Sequence, residues 1–110
     1  MKHLYLKHLD TFMYILMGLK LYELRKCSNF IDSLKKNDVI YIIHRGFNIK
    51  CTISDIIVFP SVSDVFQSSI DHSTIVPDCN TVNDAIMKYN SYYDNCNTPF
   101  KALKLDITTI

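Results

Sequence analysis

The chain has 110 residues, of which 48% are apolar and 21% charged, and its 12 basic and 11 acidic side chains give a formal net charge of +1. This length supports one hydrophobic core rather than two, and this composition excludes an intrinsically disordered or low-complexity chain. We therefore predict a single domain over residues 1–110, and a net charge this small points by itself to no class of ligand.

The first part of the chain predicts a strand followed by a helix. Residues 3–7 form a short extended segment. Helical spacing of apolar side chains then predicts a helix with Asp10 as its N-cap. The apolar positions of this helix are Leu9, Phe12, Met13 and Leu16. Gly18 is expected at the C′ position, where glycine adopts a left-handed backbone at little cost.

The middle of the chain predicts three strands. Residues 20–26 form the first of them, and a loop is expected at residues 29–37. An apolar run at residues 39–43 is typical of a buried strand, and residues 45–48 suit a hairpin connection. Residues 49–59 begin with clean alternation and then become apolar on both faces, which predicts a long, strongly bent strand.

Two helices are predicted after the long strand. Ser61 with Asp64, and Thr81 with Asp84, have the spacing of N-terminal capping residues. The apolar positions of the first helix are Val62, Val65, Phe66 and Ile70. The apolar stripe of the second is Val82, Ala85, Ile86, Tyr89 and Tyr93. A loop at residues 71–80 is expected to separate the two helices.

A last strand, expected over residues 100–107, completes the predicted order β-α-β-β-β-α-α-β. Leu103, Leu105 and Ile107 alternate there with Lys104 and Asp106. More strands are present than one layer of helices can cover, and the bent strand favours a curled sheet. The predicted fold class is α+β, a small mixed β-barrel of about five strands flanked by three helices.

The cysteines predict neither a metal site nor a disulfide framework. They are Cys27, Cys51, Cys79 and Cys96. No C-x-x-C pair occurs and no histidine lies close to a cysteine at zinc-binding spacing, so we expect no metal and no cofactor. The apolar run at residues 12–17 is too short for a signal peptide or a membrane span. We therefore expect reduced thiols and an intracellular location, with no membrane partner.

One motif carries a family resemblance. The segment His3-Leu4-Tyr5-Leu6, then Phe12, then Gly18-x-Lys20-x-x-Glu23-x-Arg25, then Asn37-Asp38-Val39-Ile40, resembles the start of ASCH domains, in the PUA-like group associated with RNA. The order of the later elements is also similar to that family, so the resemblance covers nearly the whole chain. It implies a PUA-like barrel, an RNA partner and a site at the motif. The stand-alone form looks like versions found in bacteria and in large DNA viruses of insects, which implies the cytoplasm or nucleus of a host cell in the viral case.

The chain departs from the family pattern at two places. Asn37 stands where the family usually has glycine, and asparagine tolerates the left-handed backbone better than most residues. An acetylcytidine-cleaving subgroup, similar to this chain at Gly18, Lys20 and Arg25, carries threonine at the position of Glu23 and a glutamate in its second half. No glutamate follows Glu23 in this chain, which weakens the implied amidohydrolase activity.

The motif residues suit a nucleobase or phosphate site. Glu23 and Arg25 lie two positions apart in a predicted strand and therefore share a face, and Lys20 lies beside them. Arginine offers planar donors to a base edge or a phosphate, and glutamate accepts from an exocyclic amine. Lys20 becomes a candidate general base if burial lowers its pKa. The alternative is that Glu23 and Arg25 form a structural ion pair at the rim of the barrel.

Basic residues are concentrated in one stretch. Residues 20–50 carry seven basic side chains against three acidic ones, a net +4, whereas residues 51–100 carry a net −5. This polarity predicts a cationic face for an anionic ligand, unless folding mixes the two halves. The candidate phosphate contacts are Lys26, Lys35, Lys36, Arg45 and Lys50, each of which is otherwise an ordinary solvated side chain. Tyr92 lies off the apolar stripe of its helix and is a candidate to stack on a base.

Three functions remain open at this point. The first is an RNA- or nucleotide-binding module with its cleft at Lys20, Glu23 and Arg25. The second is an enzyme acting on RNA or on a modified nucleoside, a ribonuclease or an acetylcytidine amidohydrolase, with Lys20 as base and Glu23 as proton carrier or positioning group. The third is a protein-interaction module that dimerises through an edge strand and retains only a vestigial cleft.

Overall fold

The computed structural model describes residues 2–109, and five strands and four α-helices lie in that range. In chain order the elements are β1 (Lys2–Tyr5), α1 (Leu9–Leu16), β2 (Tyr22–Lys26), α2 (Asn29–Ser33), β3 (Val39–His44), β4 (Phe47–Phe59), α3 (Val62–Gln67), a 3₁₀ turn (His72–Thr74), α4 (Val82–Tyr92) and β5 (Phe100–Thr109). The strands form one mixed sheet in the order β1-β3-β4-β5-β2, in which β1 is parallel to β3 and the other pairs are antiparallel. The sheet curls into a half-barrel, which confirms the predicted α+β class and the five strands.

Strand β4 is the centre of the sheet and has the predicted bend. Its first part alternates, with Ile49, Cys51 and Ile53 buried on one face. Its pairing with β5 shifts register between Lys50 and Cys51 and again between Ile53 and Asp55. Such irregularities increase local twist, so β4 pairs with β3 along one part of its length and with β5 along nearly all of it.

The apolar core divides into two clusters because β5 buries side chains on both faces. Phe100 and Ala102 belong to one cluster, with Val62, Val65 and Phe66 of α3 and Ala85 and Tyr89 of α4. Leu103 and Leu105 belong to the other, with Phe12 and Ile15 of α1 and the buried residues of β3 and β4. The sheet is therefore covered by α1 and α2 on one side and by α3 and α4 on the other.

Both predicted capping residues are confirmed. The hydroxyl of Ser61 accepts a hydrogen bond from the backbone N–H of Asp64, and that of Thr81 accepts one from Asp84. These bonds satisfy amide groups that have no partner inside the helix. The bond at Thr81 fixes the start of α4, the helix that carries Tyr89 and Tyr92.

The prediction of Asp10 as the cap of α1 is wrong. The N-cap is His8, which has an extended backbone and makes no side-chain capping bond. Asp10 lies inside the first turn, where a carboxylate still interacts favourably with the positive end of the helix dipole. Acidic residues are common both at the N-cap and in the first turn of a helix, so the sequence does not show which of these positions Asp10 occupies.

Three boundaries also differ from the predictions. The loop expected at residues 29–37 contains α2, a five-residue helix whose N-cap Ser28 accepts from the N–H of Ile31. The loop expected at residues 71–80 contains the 3₁₀ turn, and α3 ends at Gln67, before Ile70. A helix of one or two turns is too short to show periodicity, and this accounts for the fourth helix that was not predicted.

Gly18 ends α1 as predicted and directs the chain into β2. Its φ is +75°, and the turn around it has the hydrogen bonds of a Schellman motif, Gly18 N–H to the Ile15 carbonyl and Leu19 N–H to the Tyr14 carbonyl. The N–H of Lys20 also donates to the Tyr14 carbonyl, at 3.0 Å. The helix end thus fixes the backbone from which the Lys20 side chain projects.

The two edge strands, β1 and β2, approach each other across the open side of the half-barrel. An Nη2 N–H of Arg25 on β2 donates to the carbonyl oxygen of Tyr5 on β1, at 2.9 Å. This contact joins β1 to β2 where the two strands are not paired with each other, and we call this open edge of the half-barrel the seam. No helix within residues 2–109 is long and apolar enough to cross a membrane.

Replacing Gly18 by alanine should destabilise the fold by about 1 kcal/mol, because a left-handed backbone is strained for any residue with a Cβ. A Cβ at Gly18 would meet no atom within 4 Å, so the loss reports backbone strain and not a clash. Gly46→Ala is the matched control, because that glycine also has open space around it but lacks a positive φ. Urea unfolding of both variants measures the difference in their free energies of unfolding. Equal stability of the two would contradict a requirement for glycine at position 18.

Candidate functional site

A cavity of about 510 Å³ opens at the seam between the edge strands. Its walls come from five parts of the chain. They are residues 5–8 at and after the end of β1, the side of α1 that carries Thr11 and Tyr14, strand β2, the segment 75–78, and one face of α4 with the residue that follows it. Lys20, Glu23 and Arg25 all line it. The structure therefore brings the three motif residues together in one cavity.

Lys20 lies at the floor of this cavity and is 4% exposed. Its Nζ donates to the carbonyl oxygen of Ile75 at 2.6 Å and lies 3.3 Å from Oε1 of Glu23. Burial lowers the pKa of Lys20 from its usual 10.5, and the neighbouring Glu23 carboxylate offsets this only in part. Lys20 is thus a buried amine held in one position by one carbonyl and one carboxylate.

Glu23 is held between two cations. It is 4% exposed, and Oε2 accepts from Nε and Nη2 of Arg25 at 3.3 and 3.2 Å while Oε1 faces Lys20. Arg25 also donates to the Tyr5 carbonyl. The shared face predicted for Glu23 and Arg25 is confirmed, and so is the ion pair between them. We call Lys20, Glu23 and Arg25 the buried triad, because its amine and carboxylate are buried, whereas the side chain of Arg25 is 28% exposed.

Tyrosines form much of the remaining wall. Five of the seven line the cavity, and they are Tyr5, Tyr14, Tyr89, Tyr92 and Tyr93. The rings of Tyr89 and Tyr93 are nearly parallel, with centroids 6.4 Å apart. Burial, followed by the charge of Glu23, raises the pKa of Tyr89 well above its ordinary value, so its hydroxyl keeps its proton at physiological pH.

Tyr92 lies at the mouth of the cavity. It is 47% exposed, as its position off the apolar stripe predicted. Its ring stacks on that of His8, with centroids 6.2 Å apart and an interplanar angle of 23°. A planar aromatic surface is therefore present where a ligand would enter.

A second ion pair, between Asp78 and Lys88, joins the segment 75–78 to α4. Both residues line the cavity, and Lys7 lines it from the other side of the mouth. Asp78 is exposed and Lys88 is half-buried, so this pair is nearer to solvent than the buried triad. It positions the wall that supplies the Ile75 carbonyl to Lys20.

Five of the predicted binding residues do not line the cavity, namely Lys26, Lys35, Lys36, Arg45 and Lys50. Lys26 ends β2 opposite Phe100, Arg45 occupies the turn between β3 and β4, and Lys50 lies on β4 opposite Tyr41. The basic stretch at residues 20–50 thus contributes only Lys20 and Arg25 to the lining. A role for Lys26, Arg45 and Lys50 in contacting phosphates stays a prediction.

Several lining residues were not predicted from the sequence. Tyr89 and Tyr93 were assigned to the apolar stripe of their helix, and the segment 75–78 was assigned to a loop. Lys7 and Lys88 carry no local signal, because isolated lysines are ordinary surface residues. The one available signal was the concentration of tyrosine in α4, with Tyr89, Tyr92 and Tyr93 within five positions.

The structure offers no donor set for a metal within residues 2–109, since no three His, Cys, Asp or Glu side chains cluster there. The four thiols are unpaired with one another in that range. Burial raises the pKa of Cys51 to about 11, so this thiol is not a nucleophile at neutral pH. The polar groups that line the cavity are amine, carboxylate, guanidinium and phenol groups, the imidazole of His8 and the hydroxyls of Thr11 and Ser91.

Comparisons with known proteins establish the fold. No protein-family model matches the chain, and no curated protein matches it. Among solved structures, the crystal structure of the hypothetical protein PH0355 is similar, with a TM-score of 0.82, 18% identity and coverage of 97% of this chain and 99% of that one. The solution structure of protein PF0455 from Pyrococcus furiosus has a TM-score of 0.71 and 15% identity, with 99% and 98% covered. At these identities the likeness concerns the fold alone.

Replacing Lys20 by methionine should destabilise the protein by about 3 kcal/mol, because it leaves the Ile75 carbonyl without its donor and one oxygen of Glu23 without its cation. Lys36→Met, at an exposed position away from the cavity, should change stability little. Denaturant unfolding of the two variants measures this. Equal losses of stability in both variants would show that the buried contacts of Lys20 do not stabilise the fold.

The loss in Lys20→Met should also depend on pH. The pKa of Lys20 is lowered in the folded protein, so between that pKa and 10.5 the unfolded chain binds a proton that the folded protein does not. Folding stability attributable to Lys20 therefore rises with pH in this window and is lost as pH falls through the lowered pKa. Unfolding measured from pH 7 to pH 10 should show a widening gap between the wild type and Lys20→Met, and a constant or narrowing gap contradicts it.

Proposed function

We propose that this chain is an ASCH-like RNA- or nucleotide-binding module that holds a nucleobase in the cavity at its G-x-K-x-x-E-x-R motif. The observation that carries the proposal is the convergence of Lys20, Glu23 and Arg25 on one cavity, with Lys20 and Glu23 at its floor. The motif resembles that of ASCH domains, and the fold is a curled five-stranded sheet of the kind the resemblance implies.

The floor has the donors and acceptors that a base edge needs. Lys20 has three N–H donors, of which two face Ile75 and Glu23. Oε1 of Glu23 faces Lys20 and has a second lone pair, whereas Oε2 already accepts two hydrogen bonds from Arg25. A ligand can thus accept a hydrogen bond from the Lys20 amine and donate one from an exocyclic amine to Glu23. These groups are already held by other contacts, so little conformational entropy is lost when they bind a ligand.

The walls favour a flat ligand. Buried Leu24 and Ile75 and the ring of Tyr89 exclude water near the floor, and Tyr92 and His8 present rings at the mouth. Aromatic side chains that stack on unpaired bases are the usual means by which proteins bind single-stranded RNA. A volume of about 510 Å³ lies within the range of small-ligand pockets and suits one base with its sugar, not a paired duplex.

We expect Arg25→Ala to weaken binding of short single-stranded RNA at least tenfold, since a charge-assisted hydrogen bond contributes about 1.5–3 kcal/mol and tenfold corresponds to about 1.4 kcal/mol. Tyr92→Ala should also weaken it, whereas Tyr92→Phe, which keeps the ring, should bind nearly as the wild type does. Fluorescence anisotropy with labelled RNA at low and high salt measures all four proteins. Circular dichroism of each variant controls for folding.

The proposal fails if the folded wild type does not bind RNA or mononucleotides at low salt. It also fails if folded Arg25→Ala and Tyr92→Ala both bind as the wild type does. Equal losses in Tyr92→Ala and Tyr92→Phe would contradict stacking and assign the effect to the phenol hydroxyl instead.

A second candidate function, hydrolysis of an acylated nucleoside, is favoured by the environment of Lys20. Its pKa is lowered by burial, so a larger fraction of neutral amine is present near neutral pH to accept a proton from an attacking water. Asp78, from the second half of the chain, lines the same cavity and provides a carboxylate there. The acetylcytidine-cleaving subgroup that the motif resembles uses a glutamate from its second half. Asp78 is already paired with Lys88, so it serves the role of that glutamate only if that pair opens.

Incubation with acetylcytidine tests the enzymatic candidate. If Lys20 is the base, cytidine and acetate form at a rate that rises with pH and levels off below pH 10.5, since the neutral amine is the active form. Lys20→Arg, which keeps the charge but stays protonated and so cannot accept a proton, should be inactive at every pH. A wild-type rate no higher than that of Lys20→Arg would exclude this reaction.

A further inference from the structure

Charge is distributed unevenly between the cavity and the rest of the chain. The lining contains four cations, Lys7, Lys20, Arg25 and Lys88, and two carboxylates, Glu23 and Asp78. Its formal charge is therefore +2, against +1 for the whole chain, so the remainder of the protein is net negative. The cationic character that the sequence placed in residues 20–50 is assembled at the cavity from three separate parts of the chain.

These charges lie at two depths. Lys20 and Glu23 are buried at the floor, with side chains 3% and 5% exposed. Lys7 and His8 are exposed and belong to the mouth. Lys88, Arg25 and Asp78 belong there too, because their side chains are 27%, 28% and 39% exposed. The lining is thus divided into a floor that contains a carboxylate and a rim that carries an excess of positive charge.

The floor is unfavourable for an anion. A phosphate placed there would lie close to the Glu23 carboxylate in an environment of low dielectric constant, where like charges repel strongly. A neutral base has no such cost and can use both the Lys20 amine and the Glu23 carboxylate. At the rim the balance is reversed, because the cations Lys7, Arg25 and Lys88 outnumber the one carboxylate there, Asp78, which is paired with Lys88. These cations can offer donors to an anion that stays partly hydrated.

We propose that the ligand of this cavity is a nucleotide that carries a phosphate, with its base on the floor between Lys20 and Glu23 and its phosphate at the rim beside Lys7 and Lys88. This inference rests on the proposed nucleotide-binding function and specifies its ligand class. A neutral nucleoside would occupy only the inner half of the site. The phosphate can belong to a free mononucleotide or to one nucleotide extruded from an RNA strand, since the recognising chemistry is the same.

Calorimetric titration with each of the four ribonucleosides, the matching 5′-monophosphates and inorganic phosphate tests the inference. For the preferred base, the monophosphate should bind about tenfold more tightly than the nucleoside, as expected for one charge-assisted contact. Raising the salt concentration should reduce this ratio of the two affinities. Lys7→Gln should reduce the ratio as well, whereas Lys104→Gln, which changes a lysine of β5 outside the cavity, should leave it unchanged.

Each outcome separates this inference from the proposed function. Nucleosides that bind as tightly as their monophosphates overturn the inference and leave nucleobase binding in place. Inorganic phosphate that binds as tightly as the monophosphate also overturns it, because the base would then contribute nothing. Failure of every nucleoside, nucleotide and RNA to bind overturns the proposed function itself.

Competition identifies the source of the nucleotide. If the monophosphate displaces a bound single-stranded RNA, a nucleotide of a strand occupies the same cavity, and the inference extends to RNA. If it binds with the expected phosphate preference but does not displace RNA, the ligand is the free nucleotide. Both results support the proposed placement of base and phosphate.

Discussion

The site and the open side of the barrel both depend on the carboxylate of Glu23, which is buried between Lys20 and Arg25. Each of its partners has a further contact, Lys20 to the Ile75 carbonyl and Arg25 to the Tyr5 carbonyl. One carboxylate therefore connects the turn after α1, both edge strands and the segment 75–78. Without it, two cations would face each other with no counter-ion, one of them almost fully buried, and such an unpaired charge is strongly destabilising. The residues that form the floor of the cavity are thus the same residues that hold its walls together.

A buried ion cluster is seldom the most stable way to fill a core, because the desolvation of each charge opposes the attraction between them. Apolar side chains of similar volume would suit the seam of a half-barrel at least as well for stability alone. The triad differs from such a core in that its donors and acceptors are fixed in place and reach a cavity. This is the property expected of a binding floor, and the lowered pKa of Lys20 is a consequence of the same burial. The arrangement thus favours a ligand site over a purely structural ion pair, although it includes that pair.

Local rules were sufficient for much of the fold and for part of the site. Period-two alternation identified Ile49, Cys51 and Ile53 as the buried face of β4, and the same rule placed Glu23 and Arg25 together. Glycine chemistry located the end of α1, and Asn37 indeed has a left-handed φ of 75°. What could not be predicted depends on contacts between distant parts of the chain. Nothing near Lys20 in sequence shows that it is buried, because its partner carbonyl lies 55 positions away. Tyr89 fits an apolar stripe whether or not its ring also faces a cavity, and α2 is too short to produce a periodic signal.

The origin of the positive rim shows why a charge count along the chain is a poor guide to a binding surface. Residues 20–50 carry most of the basic excess, yet Lys26, Arg45 and Lys50 point to no common cavity with Lys20 and Arg25. The rim instead takes Lys7 from the segment after β1 and Lys88 from the otherwise acidic second half. Parallel pairing of β1 with β3 and the return of β5 beside β2 bring these parts to one seam. Because the half-barrel is left open there, the edge that strand pairing does not close becomes the place where side chains from several elements meet around one volume. The arrangement of charges around the cavity therefore follows from topology together with one buried carboxylate, and not from any continuous stretch of sequence.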